Sequence, residues 1–123
     1  MNTLNATRRA RFLAVTLAER VDAQAIVAVT RGGFTARSLS ALRPRMPIVA
    51  ATDRPETARR LALFWGLIPI RTGLGESADA SGSIIAGQLI DRRLIDPGAT
   101  IVLLSISDDL GRADANYVKI QRV

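Results

Sequence analysis

Three short runs in this chain are apolar or small along their whole length rather than at every second position. They are AIVAVT at 25–30, IVAAT at 48–52 and TIVLLSI at 100–106. A β-strand sends successive side chains to opposite faces of its sheet. A strand that is apolar throughout therefore needs cover on both faces, the signature of a parallel sheet between helical layers. A meander with one wet face would alternate instead.

The intervening segments supply the cover. From Asn5 to Val21 the residues Phe12, Leu13, Val15, Leu17 and Val21 fall mainly at helical spacing, which predicts a first helix. After the first strand Thr35 is the expected N-cap of a helix through Leu42, closed by Pro44 and Pro47. After the second strand Asp53 is the expected cap, with Pro55 in the first turn and ETARRLALFW continuing to Gly66. LIPI at 67–70 predicts a third strand, and Pro69, which has no N–H for a ladder, places it at an edge. A polar, glycine-rich connection follows, then a helix over about Ser83 to Leu94 with Ile85, Leu89 and Ile90 on one side. TIVLLSI is the most apolar strand and is predicted to be central. NYVKIQRV alternates, which predicts a half-exposed last strand. Strands alternating with helices over short connections predict one α/β domain spanning 1–123, a parallel sheet with helices on both faces.

The composition excludes several chemistries. The chain has neither cysteine nor histidine, so it cannot build a Ser-His-Asp triad, a thiol nucleophile, a disulfide or a histidine metal site. A cysteine-free chain suits the cytoplasm, the expected location. No apolar run reaches the roughly 18 residues that a bilayer requires. The basic N-terminal stretch is interrupted by charge and lacks the apolar centre of a secretory signal. Seventeen basic against eleven acidic residues give a net charge of +6, and every basic residue except Lys119 is arginine. Such charge attracts phosphates. Here, however, the pairs Arg8-Arg9, Arg59-Arg60 and Arg92-Arg93 sit in three separate helical patterns and read as solvated faces. With few aromatics to stack on bases, this argues against nucleic acid as a partner.

Two loops are candidate sites. Thr30-Arg31-Gly32-Gly33-Phe34-Thr35 follows a strand and opens a helix, the place where α/β sheets bind ligands. Backbone N–H groups at a helix N-terminus favour an anion, and two hydroxyls and Arg31 add donors. The same residues also suit a plain tight turn with glycines at positive φ. They match neither the Walker spacing nor G-x-G-x-x-G. The loop from Ser107 to Arg112 holds Asp108 and Asp109, which read as a solvated turn or as carboxylates for Mg²⁺ or base chemistry. Trp65, beside Gly66, reads as a packing anchor between helix and sheet.

The stretch AIVAVTRGGFTARSLSALRPRMPIVAATDRPETARRLALFWGLIPI resembles the C-terminal domain of pyruvate kinases. Thr30, Gly33, Thr35, Ala36, Arg37, Pro44, Pro47, Ile48, Thr52, Thr57, Ala58, Leu61, Leu63, Trp65, Gly66 and Pro69 stand at matching places, and DPGATIVLLS…GRADANYVKIQRV resembles that domain's end. The resemblance implies a three-layer α/β/α sandwich with a five-stranded, mostly parallel sheet whose last strand is antiparallel. It implies a regulatory domain in which the threonine-rich loop takes the phosphate of a sugar phosphate or nucleotide effector. The implied site residues are Thr30, Arg31, Gly32, Gly33, Phe34 and Thr35, with Gly111 and Arg112 from the closing loop. It also implies contact between C-terminal domains in an oligomer, and the alternating NYVKIQRV, read from the sequence as an edge strand with unpaired backbone groups, is the expected place for it. The family's catalytic residues lie in a barrel that this chain does not contain, so no phosphoryl transfer is expected from this chain alone, and no cofactor or metal. Phe34 stands where the family often has a polar or basic residue. Ser105-Ile106 and Ala113-Asp114 replace Ser-Gly and Thr-Asn, and Asp108 and Asp109 bring negative charge near the expected phosphate. These departures suit a structural assembly domain with a vestigial effector loop.

Overall fold

The computed structural model describes residues 2–73, 78–107, 110–112 and 115–123, without the side chains of residues 78–80. The chain runs α1 (Thr3–Arg20), β1 (Ala25–Val29), α2 (Phe34–Ala41), β2 (Ile48–Thr52), α3 (Pro55–Leu61), β3 (Leu67–Arg71), α4 (Ala78–Asp91), β4 (Thr100–Ser105) and β5 (Tyr117–Arg122). The five strands form one sheet in the order β3-β2-β1-β4-β5. β1 pairs in parallel with β2 and β4, β3 joins β2 in parallel, and β5 runs antiparallel to β4. The expected mixed sheet with an antiparallel last strand is thus present. The centre, however, is β1. β4 is apolar from Ile101 to Leu104 because both its faces are covered, yet it lies next to the β5 edge.

Two cores lie on the two faces. On one, Ala14 and Ala18 of α1, Ala36 and Leu39 of α2 and Leu61 of α3 pack on Ile26, Ala28, Ile48, Ala50, Val102 and Leu104. Alanines on both sides of this layer leave little side-chain volume, so the helices lie close on the sheet. On the other face Ile85 and Leu89 of α4, with Ile95, cover Val27, Val49, Ile70, Ile101 and Leu103. Each large aliphatic side chain buried here contributes about 1.5–3 kcal/mol.

Three helices end on non-glycine residues in the left-handed region, Asp22, Arg43 and Arg93, with φ of 51, 47 and 59°. Arg93 explains why α4 stops before Leu94, and its start at Ala78 is earlier than the apolar pattern suggested. α3 stops at Leu61, short of Trp65. Asp53 does not cap it; Arg54 is the cap residue and contributes no side-chain hydrogen bond. Among the described residues no helix is long and apolar enough to cross a membrane.

Tyr117 opens β5 opposite Ser105. Burial pushes its phenol above the ordinary value near 10, and a hydrogen bond with Ser105 partly opposes this. The folded chain therefore keeps the phenolic proton to higher pH than the unfolded chain. Stability is lost as pH rises from about 10 through the folded-state value. Tyr117 is the one tyrosine, so tyrosinate absorbance reads it directly. Its midpoint is expected to lie above that of the urea-unfolded chain, and Tyr117→Phe should remove this part of the alkaline loss. A midpoint equal to the unfolded one contradicts the assignment.

Candidate functional site

The loop after β1 is built by one hydroxyl and one glycine. Thr30 is buried, and its Oγ1 accepts the Gly33 N–H at 2.9 Å. Gly33 has φ of +94°, and a Cβ placed there would lie 3.1 Å from Leu61 Cδ2. Both the conformation and the contact demand glycine at this position. Gly32, by contrast, has open space around a would-be Cβ. α2 then begins at Phe34 with Gly33 as its cap residue and no side-chain cap. Thr35 is therefore not the N-cap that the sequence suggested; it sits inside the first turn.

That displacement leaves donors open. The first intrahelical bond is Arg37 N–H to Gly33 O at 3.0 Å. The N–H groups of Phe34, Thr35 and Ala36 precede it and have no side-chain cap. Thr35 is only 4% exposed. Its hydroxyl has no hydrogen-bond partner among the described residues, and its oxygen is not one of the fully enclosed ones. The Gly33 N–H, expected to face a ligand, is already bound to Thr30. Arg31 and Gly32 are exposed, and Phe34 is half-buried with the Arg37 guanidinium 5.9 Å from its ring centre.

A second layer holds the loop from the side of α3. The Thr57 hydroxyl donates to Arg31 O at 2.6 Å. Arg60 Nη2 donates to Gly32 O at 3.3 Å and to Thr57 Oγ1 at 3.4 Å. Two loop carbonyls are thus turned to α3. Sequence reasoning missed Thr57 and Arg60 as site residues. Their three-residue spacing puts them on one helix face, but nothing local says that this face meets the loop.

The closing loop leaves β4, the neighbour of β1, at the same end of the sheet, with Val29 opposite Ser105. Gly111 and Arg112 are exposed there. Asn116, also missed, ties the loop together. Its Oδ1 accepts Ser107 N–H at 2.8 Å, and its Nδ2 donates to Arg112 O at 2.6 Å. The expected Asp108-Asp109 pair lies outside the described residues. Among those described, no group of three or more His, Cys, Asp or Glu is placed to hold a metal. Asp53, Arg71, Thr72 and Gly73 line an open crevice of about 260 Å³ at the ends of β2 and β3.

Trp65 is not the packing anchor expected. The residue is 51% exposed with the Arg43 guanidinium 5.2 Å from its ring centre, while its carbonyl accepts the Ser40 hydroxyl at 2.6 Å. It precedes β3, at the opposite end of the strands from the Thr30–Thr35 loop.

A family model described as "Pyruvate kinase, alpha/beta domain" matches residues 11–121. Pyruvate kinase from Clostridium acetobutylicum is 31% identical over 108 residues, 88% of this chain and 23% of that protein. The enzyme from Staphylococcus saprophyticus is 30% identical over 103 residues, 84% of this chain and 18% of that protein. A crystal structure of pyruvate kinase from Cryptosporidium parvum superposes with a TM-score of 0.82 at 26% identity, over 95% of this chain and 22% of the other. A structure of the Cryptosporidium parvum enzyme in complex with ADP gives a TM-score of 0.84, also at 26% identity, over 95% of this chain and 23% of the other. The chain spans about a fifth of the length of the relatives it matches. By the matched family model, the sheet order and the antiparallel last strand, the chain belongs to the pyruvate kinase alpha/beta-domain family.

Proposed function

We propose that this chain is a regulatory, phosphometabolite-binding and subunit-contact domain of pyruvate kinase type, acting in the cytoplasm and carrying no phosphoryl-transfer site of its own. The observation that carries the binding half is Thr35. Its side chain is little exposed, its hydroxyl has no protein partner among the described residues, and it lies in the turn that carries three uncapped N–H groups. A phosphate supplies several acceptors. The helix N-terminus adds partial positive charge, typically about 0.3–1 kcal/mol in favour of an anion. Arg31, Gly32 and Phe34 frame the entrance, Thr30 and Gly33 fix the turn, and Gly111 and Arg112 close it from the β4 side. A sugar phosphate or a nucleotide is the effector class that this arrangement suits.

The subunit-contact half rests on the other end of the sheet. Among the described residues the sheet order ends at β5, so this strand forms an edge, a template for pairing with another strand. Ile120 on β5 is 47% exposed, and Phe12 and Leu13 on α1, the helix that packs on β4 and reaches β5, are 55% and 58% exposed. A two-fold axis at this edge would pair two β5 strands and cover apolar side chains of both copies. Phe34, which brings no donor to the loop, favours a reading in which this contact is the sole role.

Two measurements separate these halves. Titration with AMP and a hexose bisphosphate should show binding by the parent. Gly32→Asp, which adds a carboxylate in open space, should weaken it by at least about tenfold, or roughly 1.4 kcal/mol. Thr35→Ala should weaken it in the same direction. Equal affinities place the ligand elsewhere, and no binding by the parent leaves the assembly role alone. In sedimentation at roughly 100 μM, where mass action favours weak pairs, the parent should exceed the monomer mass. Phe12→Asp combined with Ile120→Asp should restore the monomer. A monomeric parent contradicts the contact.

A further inference from the structure

We infer that Arg60, on α3, is the cation that pairs with the bound phosphate, an inference that rests on the reading of the Thr30–Thr35 loop as the phosphate site. Arg31 lies on the loop itself, but its exposed side chain makes no hydrogen bond or ion pair among the described residues. A long free side chain loses rotamer freedom when it closes on an anion. Arg60 is held in place already. One nitrogen, Nη2, carries both of its bonds, to Gly32 O at 3.3 Å and to Thr57 Oγ1 at 3.4 Å. Thr57 in turn donates to Arg31 O at 2.6 Å, so the guanidinium, the hydroxyl and the loop form one connected set.

A guanidinium has five N–H donors in a rigid fork. With Nη2 facing the loop carbonyl, Nε and Nη1 remain. Neither makes a hydrogen bond, and no carboxylate pairs with Arg60 among the described residues. The charge therefore lies next to the loop, exposed and without a carboxylate partner among the described residues. Nε–H and Nη1–H lie on different sides of the guanidinium, so each can give one charge-assisted hydrogen bond to an anion without breaking the bonds that Nη2 makes. Arg60 thereby supplies from α3 the donor that Phe34 does not supply from the loop. Arg59 has the same charge on the same helix without a bond to the loop, and so serves as the control.

The test measures affinities of the whole chain for inorganic phosphate and AMP at low ionic strength. Arg60→Gln keeps an N–H for Gly32 O and removes the charge. It should bind both probes at least fivefold more weakly and show a shallower salt dependence. Arg60→Lys should recover most of the loss, and Arg59→Gln should stay within twofold of the parent. If Gly32→Asp weakens binding while Arg60→Gln does not, the role of Arg60 is overturned and the loop site stands. If the parent binds neither probe, both fall. If Arg59→Gln and Arg60→Gln weaken binding equally, the effect is general surface charge and Arg60 has no special part.

Discussion

The structure depends on the burial of β1. Its five residues are enclosed on both faces by helices and on both edges by parallel neighbours. A strand in that position must be apolar throughout, and its hydrogen bonds must all go to β2 and β4. Parallel neighbours require crossovers, and right-handed crossovers place α2 and α3 on one face and α4 on the other. The sheet order then follows. β1 leads outward to β2 and β3, the chain returns beneath through α4, and β4 fills the remaining side.

The same constraint makes the site. A buried strand that must turn into a helix within a few residues needs a tight corner, and Thr30 with Gly33 forms it. Thr52 Oγ1 similarly accepts Arg54 N–H at 3.2 Å at the end of β2. At β1 the corner takes the Gly33 amide and leaves the next three uncapped, because glycine has no side chain with which to cap α2. α3 packs beside the corner through Leu61, and that packing brings Thr57 and Arg60 to the loop carbonyls. A helix end with three uncapped N–H groups is thus a by-product of how the chain leaves its most buried strand.

Much of this was legible in the sequence. Strand boundaries are clear where β-branched runs meet turn residues, as at Ile48–Thr52, and Pro69 announced the edge correctly. Helix ends were less legible because Asp22, Arg43 and Arg93 take the left-handed conformation usually marked by glycine. The centre of the sheet was misplaced because apolar content reports cover on two faces, which β1 and β4 share, and not position in the order. The loop was found from its glycines and threonines. The residues that hold it, Thr57, Arg60 and Asn116, were not, since their role comes from contacts across 26, 28 and 9 positions that no local pattern encodes.

The central claim is that the first turn of α2, and not the Gly33 amide, receives an anion. Residue-resolved amide spectra recorded while inorganic phosphate is added test it most directly. The account predicts that the Phe34, Thr35 and Ala36 amides move most and saturate together, while Gly33, held by Thr30, moves little. Larger shifts at Gly33 than at these three, or no saturable shift in the loop, would contradict it.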